Sequence, residues 1–279
     1  MAKKFSETAP FVPVEYSYEV DRVLYKGKSS FQQIMVFENP YFGKMLILDG
    51  IVQLTERDEF FYHEMLVHVV MHAHPNPKKV IVIGGGDGGT VREVLKHRTV
   101  EKVYFVEIDK KVIDISRKYF PSVACSINDR RVEIKNMDGA EFVKKRPSDI
   151  DIVIVDSTDP IGFATSLFTE KFFTSVKNSL TASGMFVTHS ESLLLHKDIV
   201  YEVQKTLKGV FPGVDLYTAP IATYPGNWWT FAVGSKRLNP RHIKRKTRIK
   251  TKYYSEEIHQ HAFVPRGLYK KLMQKKLEW

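Results

Sequence analysis

Four acidic residues stand where short apolar runs end. Asp87 follows Val80-Ile81-Val82-Ile83, and Glu107 follows Val103-Tyr104-Phe105-Val106. Asp138 follows Val132-Glu133-Ile134, and Asp156 closes Ile150-Asp151-Ile152-Val153-Ile154-Val155. Runs of this kind read as buried parallel strands, and ligands of open α/β sheets bind beyond the carboxyl ends of such strands. One acid there is an ordinary helix cap. Four at consecutive strand ends describe a site for hydroxyls or cations.

Gly84, Gly86 and Gly89 fit G-x-G-x-x-G between a strand and a helix. Glu107 lies about twenty residues on, where an acid accepts hydrogen bonds from ribose hydroxyls. The pattern serves nicotinamide dinucleotides and sulfonium nucleosides alike. Asp87, inside the loop, separates them: a carboxylate sits badly beside a pyrophosphate and well beside a cation. It also disfavours the amino-acid carboxylate of S-adenosylmethionine. The preferred donor is therefore the decarboxylated, doubly cationic form.

Asp156-Ser157-Thr158-Asp159-Pro160 puts two carboxylates three residues apart, able to hold a diamine's ammonium ends or one amine from two sides. An Asx-turn with a helix cap would use the same residues. An aliphatic amine has a pKa near ~10.4, so attack on a carbon beside a sulfonium first needs a proton removed, which one carboxylate can accept. Tyr62 and Tyr224 are candidates to pack the amine's methylenes, with cation–π contacts worth roughly 0.5–2 kcal/mol. This chemistry requires neither a metal nor a covalent intermediate, and no metal-ligand cluster is read among the ten histidines.

The elements that must position these residues follow from the pattern. Residues 1–57 read as a small antiparallel β-domain, with a tight hairpin at Asp49-Gly50. From Asp58 to His72 the apolar spacing turns helical. Residues 58–279 then alternate strand and helix, giving a Rossmann-like, doubly wound α/β sheet. The length of 279 residues suits one large domain with a small appendage. The single cysteine, Cys125, excludes a disulfide framework within one chain. The first residues carry no apolar run of a signal peptide, no stretch is long enough to cross a bilayer, and a cytoplasmic location is expected. The net charge is +10, much of it in the run from Arg241 to Lys252. That run reads as a solvated surface segment, and no nucleic-acid or membrane partner is expected.

These motifs resemble the spermidine synthase family of polyamine aminopropyltransferases. The resemblance runs from about Val23 to about Val264. It is carried by Leu48-Asp49-Gly50 through Gln53, Thr55-Glu56-Arg57-Asp58-Glu59-Phe60, Tyr62-His63-Glu64-Met65, His74-Pro75-Asn76-Pro77, the Gly84–Gly89 loop, Val106-Glu107-Ile108-Asp109, Asp156 to Pro160, Ser166-Leu167-Phe168-Thr169 and Thr223-Tyr224-Pro225. It implies transfer of an aminopropyl group from decarboxylated S-adenosylmethionine, a co-substrate, to putrescine, with no cofactor, in a homodimer or homotetramer. By position, Gln32, Glu107, Asp138 and Gly139 would hold the donor nucleoside. His63 and Asp87 would face the amine, with Tyr62 and Tyr224 lining it and Gln53 a weaker candidate. Asp156 would take the proton, and Asp159 would be a second amine contact.

Three departures bear on the acceptor. Phe163 stands where the family usually has a proline touching the nucleoside. His189, followed by Ser190 and Glu191, stands where it often has glutamine near the amine channel. An early tryptophan is absent, with Phe5 or Phe11 as stand-ins. His189 would make acceptor preference pH-sensitive if it titrated near about 6.5. Cadaverine, agmatine, diaminopropane or spermidine are the alternative acceptors. A methyltransferase and a non-catalytic polyamine-binding protein are the alternative classes, disfavoured by the acidic site and by the retained Asp156.

Overall fold

The computed structural model describes residues 3–159, 162–246 and 248–279, excluding the side chains of residues 162 and 163. The N-terminal part is antiparallel. Strands β1 (Lys3–Thr8) and β2 (Glu15–Val20) form a hairpin. Strands β3 (Arg22–Lys28), β4 (Gln33–Asn39), β5 (Gly43–Leu48) and β6 (Ile51–Thr55) form a four-stranded meander. Asp49 and Gly50, at φ 49° and 85°, make the turn between β5 and β6. Two consecutive left-handed residues give the turn twist that closes a two-residue hairpin.

Helix α1 (Glu59–Ala73) leads into alternating units: β7 (Lys79–Gly84), α2 (Gly89–Leu95), β8 (Lys102–Val106), α3 (Lys110–Tyr119), β9 (Val132–Lys135), α4 (Gly139–Lys144), β10 (Ile150–Asp156), α5 (Glu170–Ser179), β11 (Leu180–Ser192) and α6 (Lys197–Val210). Strands β12 (Gly213–Pro220) and β13 (Trp228–Ser235) follow, then α7 (Glu256–His261) and α8 (Arg266–Met273). The large sheet has the order β12-β13-β11-β10-β7-β8-β9. β13 runs antiparallel to both its neighbours, so the sheet is mixed rather than wholly parallel. The strand order reverses between β7 and β10, and a crevice opens there beyond their carboxyl ends.

Side chains alternate across this sheet as strand geometry requires. Val80 and Val82 of β7 and Ile152 and Ile154 of β10 pack with α1 and α2. Ile81, Ile83, Val153 and Val155 pack on the other face with α5 and α6. All of α1 but Phe60 and Phe61 is buried, because a second layer covers its outer side. That layer is the basic segment. It is not a freely solvated run but a strap: Lys244 and Arg245 donate their backbone N–H to His72 O, and the Glu64 carboxylate accepts those of Lys252, Tyr253 and Tyr254 at 2.7–2.8 Å. Arg241 turns inward to Asp215 at 2.6 Å, while Lys244, Lys246, Arg248 and Lys250 face water.

Candidate active site

The crevice holds a cavity of about 500 Å³. Gln32, Gln53, Tyr62, His63, Asp87, Glu107, Asp138, Gly139, Asp156, Asp159 and Tyr224 all line it. The side chain of Phe163 lies outside the described residues, as do Pro160 and Ile161.

Asp156, the last residue of β10, is held at both oxygens. Tyr62 Oη donates to Oδ1 at 2.9 Å, and Thr90 Oγ1 donates to Oδ2 at 2.6 Å. The glycine loop folds against this carboxylate. Gly85, at φ 67°, donates its N–H to Asp156 O at 2.6 Å. A Cβ there would lie 2.5 Å from Asp156 Oδ2, so only glycine fits. Gly89 leaves room for His63, whose Cε1 would be 2.3 Å from an added Cβ.

Helix α1 delivers Tyr62 and His63, and its start is pinned. The Asp58 carboxylate accepts from Thr55 Oγ1 at 2.5 Å and from Thr223 N and Oγ1 at 3.1 and 2.7 Å. The same contacts place Tyr224, whose hydroxyl donates to Gln53 O at 2.7 Å. His63 Nδ1 meets Glu59 at 2.6 Å, and Nε2 lies 3.2 Å from Asp87 Oδ1.

Burial pushes Asp156 up to about 6, with Asp87 adding to the effect. Burial alone would make His63 less basic, but Asp87 and Glu59 outweigh it and hold the imidazole well above 6.5. His63 in turn overcomes burial at Asp87 and keeps that carboxyl below the usual range. The result is an ionised Asp87 beside a carboxylate, Asp156, poised to exchange a proton near neutrality.

At the opposite end, burial raises Glu107 to about 7, against a backbone hydrogen bond from Asp109 to its Oε1 at 2.8 Å. Asp138 also caps α4, accepting from Ala140 N and Glu141 N at 2.7 and 3.1 Å. The cap that a lone acid would signify is thus present, but on a residue that also faces the cavity. Gln32 gives its amide N–H to Asp109 Oδ2 at 2.9 Å, which ties the loop between β3 and β4 to the sheet.

A second acidic cluster lines the same cavity. One ligand atom from each of Asp159, His189 and Glu191 falls within 4.8 Å of the others, as do those of His63, Asp87 and Asp156. Glu191 is buried, sits at φ 72°, and has no hydrogen-bond donor to either oxygen among the described residues. Burial, then Asp159, raises it well above the usual carboxylate range, so without a cation Glu191 retains its proton. His189 stacks on Trp229. Burial lowers its basicity, so it stays neutral near pH 6.5, which removes the pH switch expected of it. Neither proposed stand-in for the early tryptophan reaches the cavity: Phe5 packs on Tyr18 and Phe37, and Phe11 is exposed. Pro10 lines it instead.

The sequence reading missed Thr90 and the Glu59–Arg92 pair, and named Glu191 only as a neighbour of His189. Glu59 and His63 were accessible through their i,i+4 spacing. Thr90 meets Asp156 across 66 positions, and no local pattern links them.

Residues 59–246 match the spermine/spermidine synthase domain, and residues 5–56 match the spermidine synthase tetramerisation domain. The chain belongs to the spermine/spermidine synthase family. It is an aminopropyl transferase of that family. Curated relatives include polyamine aminopropyltransferases of Hydrogenobaculum sp. (strain Y04AAS1), 53% identical over 96% of both chains, and of Aquifex aeolicus (strain VF5), 49% identical over 96% of both. Among solved structures, a spermidine synthase in complex with the transition-state analogue AdoDATO aligns at TM-score 0.92 and 38% identity, covering 99% of this chain and 97% of that one. The spermidine synthase from Thermotoga maritima aligns at TM-score 0.90 and 38% identity, covering 99% and 96%.

Proposed function

We propose that this enzyme transfers the aminopropyl group of decarboxylated S-adenosylmethionine to putrescine, with Asp156 as general base. The observation that carries the reading is the Asp156 carboxylate, held by Tyr62 and Thr90 and raised to about 6 beside an ionised Asp87.

Glu107 takes the ribose hydroxyls, with Asp138, Gly139 and Gln32 around the nucleoside. The acceptor enters as an ammonium between Asp87 and Asp156, and its far ammonium sits against Asp159 and Glu191, displacing the proton that burial keeps on Glu191. Two carboxylate clusters suit a molecule with two cationic ends. Tyr62 and Tyr224 pack its methylenes. Asp156 accepts a proton from the near ammonium. The freed nitrogen lone pair attacks the methylene carbon next to sulfur. A C–N bond forms, the C–S bond breaks, and its electron pair leaves with sulfur as a neutral thioether, 5′-methylthioadenosine. In-line placement and burial of the ions supply the rate. No step calls on a metal or a cofactor. The match of residues 5–56 to a tetramerisation domain supports a homo-oligomer.

The test is incubation with the decarboxylated donor and a panel of amines, with products identified by mass. Putrescine should be aminopropylated fastest, giving spermidine. Preference for a longer amine would move the acceptor assignment to the alternatives, and undiminished turnover by Asp156→Asn would refute the base.

A further inference from the structure

Behind His63, away from the cavity, lies a buried set of ionisable side chains that the reaction does not use. Glu59 accepts a bidentate pair from Arg92, at 3.0 and 2.8 Å. Arg92 Nε continues to Glu93 Oε1 at 2.7 Å. Glu93 Oε2 meets His68 Nε2 at 2.9 Å, and His68 Nδ1 meets His97 Nε2 at 2.9 Å. Arg245, on the strap, closes the series at His97 Nδ1, 2.6 Å away.

His68, His72 and His97 bring nitrogens within 4.8 Å of one another, close enough for a metal centre. The hydrogen-bond roles argue against one. A guanidinium only donates, so His97 Nδ1 accepts and its Nε2 carries the proton. That proton goes to His68 Nδ1, and His68 gives its own Nε2 proton to Glu93. Protons already occupy the space between these rings. Burial favours the neutral form of all three.

The series therefore runs Arg245, two neutral imidazoles, Glu93, Arg92, Glu59, His63, Asp87, with each carboxylate flanked by donors. We propose that this chain is the positioning device of the amine site: it fixes His63 with Nδ1–H on Glu59 and Nε2–H on Asp87, and so couples the strap to a site it does not touch. The inference rests on the reading that Asp87 holds the acceptor's ammonium. His63 itself is faced by Glu59 on α1, Asp87 and Gly89 from the glycine loop, and Asp156 from β10. Glu59, Arg92 and Glu93 are thus positioning residues for the reaction.

The experiment uses the full chain with ¹⁵N-labelled histidine, Glu59→Gln, Glu93→Gln and Arg245→Met. In the parent, both nitrogens of His63 are protonated at pH 7–8. Loss of a flanking negative charge lowers the imidazole's titration point in Glu59→Gln, and by less in the more distant Glu93→Gln. The amine KM rises severalfold in Glu59→Gln as the ring loses its orientation, and less in Glu93→Gln, while kcat and donor KM hold within about twofold. Arg245→Met moves the ¹⁵N shifts of His97 and His68 by releasing the Nδ1 acceptor. The proposal is overturned if Glu93→Gln lowers thermal stability yet leaves the His63 titration and the amine KM unchanged, or if the purified protein carries one zinc per chain. If His63 shifts as stated but no amine is a substrate, the relay stands and the functional reading fails.

Discussion

Replacing Thr90 by valine removes one of the two donors to Asp156 and almost nothing else, since the side chains are nearly isosteric and Thr90 is fully buried. A hydrogen bond to a charged group contributes about 1.5–3 kcal/mol. At 1.36 kcal/mol per pKa unit, its loss raises Asp156 by about one to two units. The starting value is about 6, so the variant titrates at roughly 7–8. At pH 7 the ionised fraction falls from about nine-tenths to between about one-half and one-tenth. The base works only when ionised. The acid limb of kcat/KM for the amine therefore moves to higher pH, and activity returns above the new limb. Initial rates from pH 5.5 to 9.5, at saturating donor and sub-saturating amine, read this directly. Thr90→Ser keeps the hydroxyl and should keep the parent profile. An unmoved limb in Thr90→Val, or an equal loss at every pH, would refute the assignment of the limb to Asp156.

Three further outcomes follow from the same electrostatics. Asp156 is protonated more readily in the folded chain than in the unfolded one, so the folded state binds more protons between about pH 4 and 6 and loses stability as pH rises through that window. With the value raised from 3.8 to about 6, Asp156→Asn should relieve roughly 3 kcal/mol at pH 8 and only about 0.5 kcal/mol at pH 4; thermal midpoints at both pH values check this. Glu107→Gln should weaken 5′-methylthioadenosine binding by roughly ten- to hundredfold, and in the parent that binding should weaken as pH falls below about 7, both measurable by calorimetry. Gly89→Ala should displace the His63 ring and raise the amine KM, with nucleoside binding retained.

The catalytic sheet is legible in the sequence because its strands are short apolar runs and its acids follow them at once. The spacing of Lys110 to Tyr119 gives α3 to the residue, since that helix buries one face only. Helix α1 is less legible. It is buried on nearly all sides and carries His63, Glu64, His68 and His72 inward, so its burial does not follow from hydropathy. The strap was only half legible for the opposite reason: most of its basic side chains do face water, but Arg241 and Arg245 turn inward, and Glu64 and His72 hold its backbone. Asp138 and Asp156 were found because each stands at a strand end. Thr90 and Arg92 were not, because their partners come from distant parts of the chain.

The contacts that set α1, Tyr224 and the strap in place join distant parts of the chain. Gln53 meets Tyr224, Asp58 meets Thr223, Glu64 meets Lys252 to Tyr254, and Arg245 meets His97. Long-range closure of this kind is slow to form, and during synthesis the N-terminal elements emerge first. A nascent chain can complete the glycine loop and the strand bearing Asp156 while α1 still lacks its cover. The half of the pocket bearing Tyr62, His63 and Tyr224 is then the last part to mature, and a chain ended before residue 250 should keep the half around Glu107 and Asp138 while failing to organise the other.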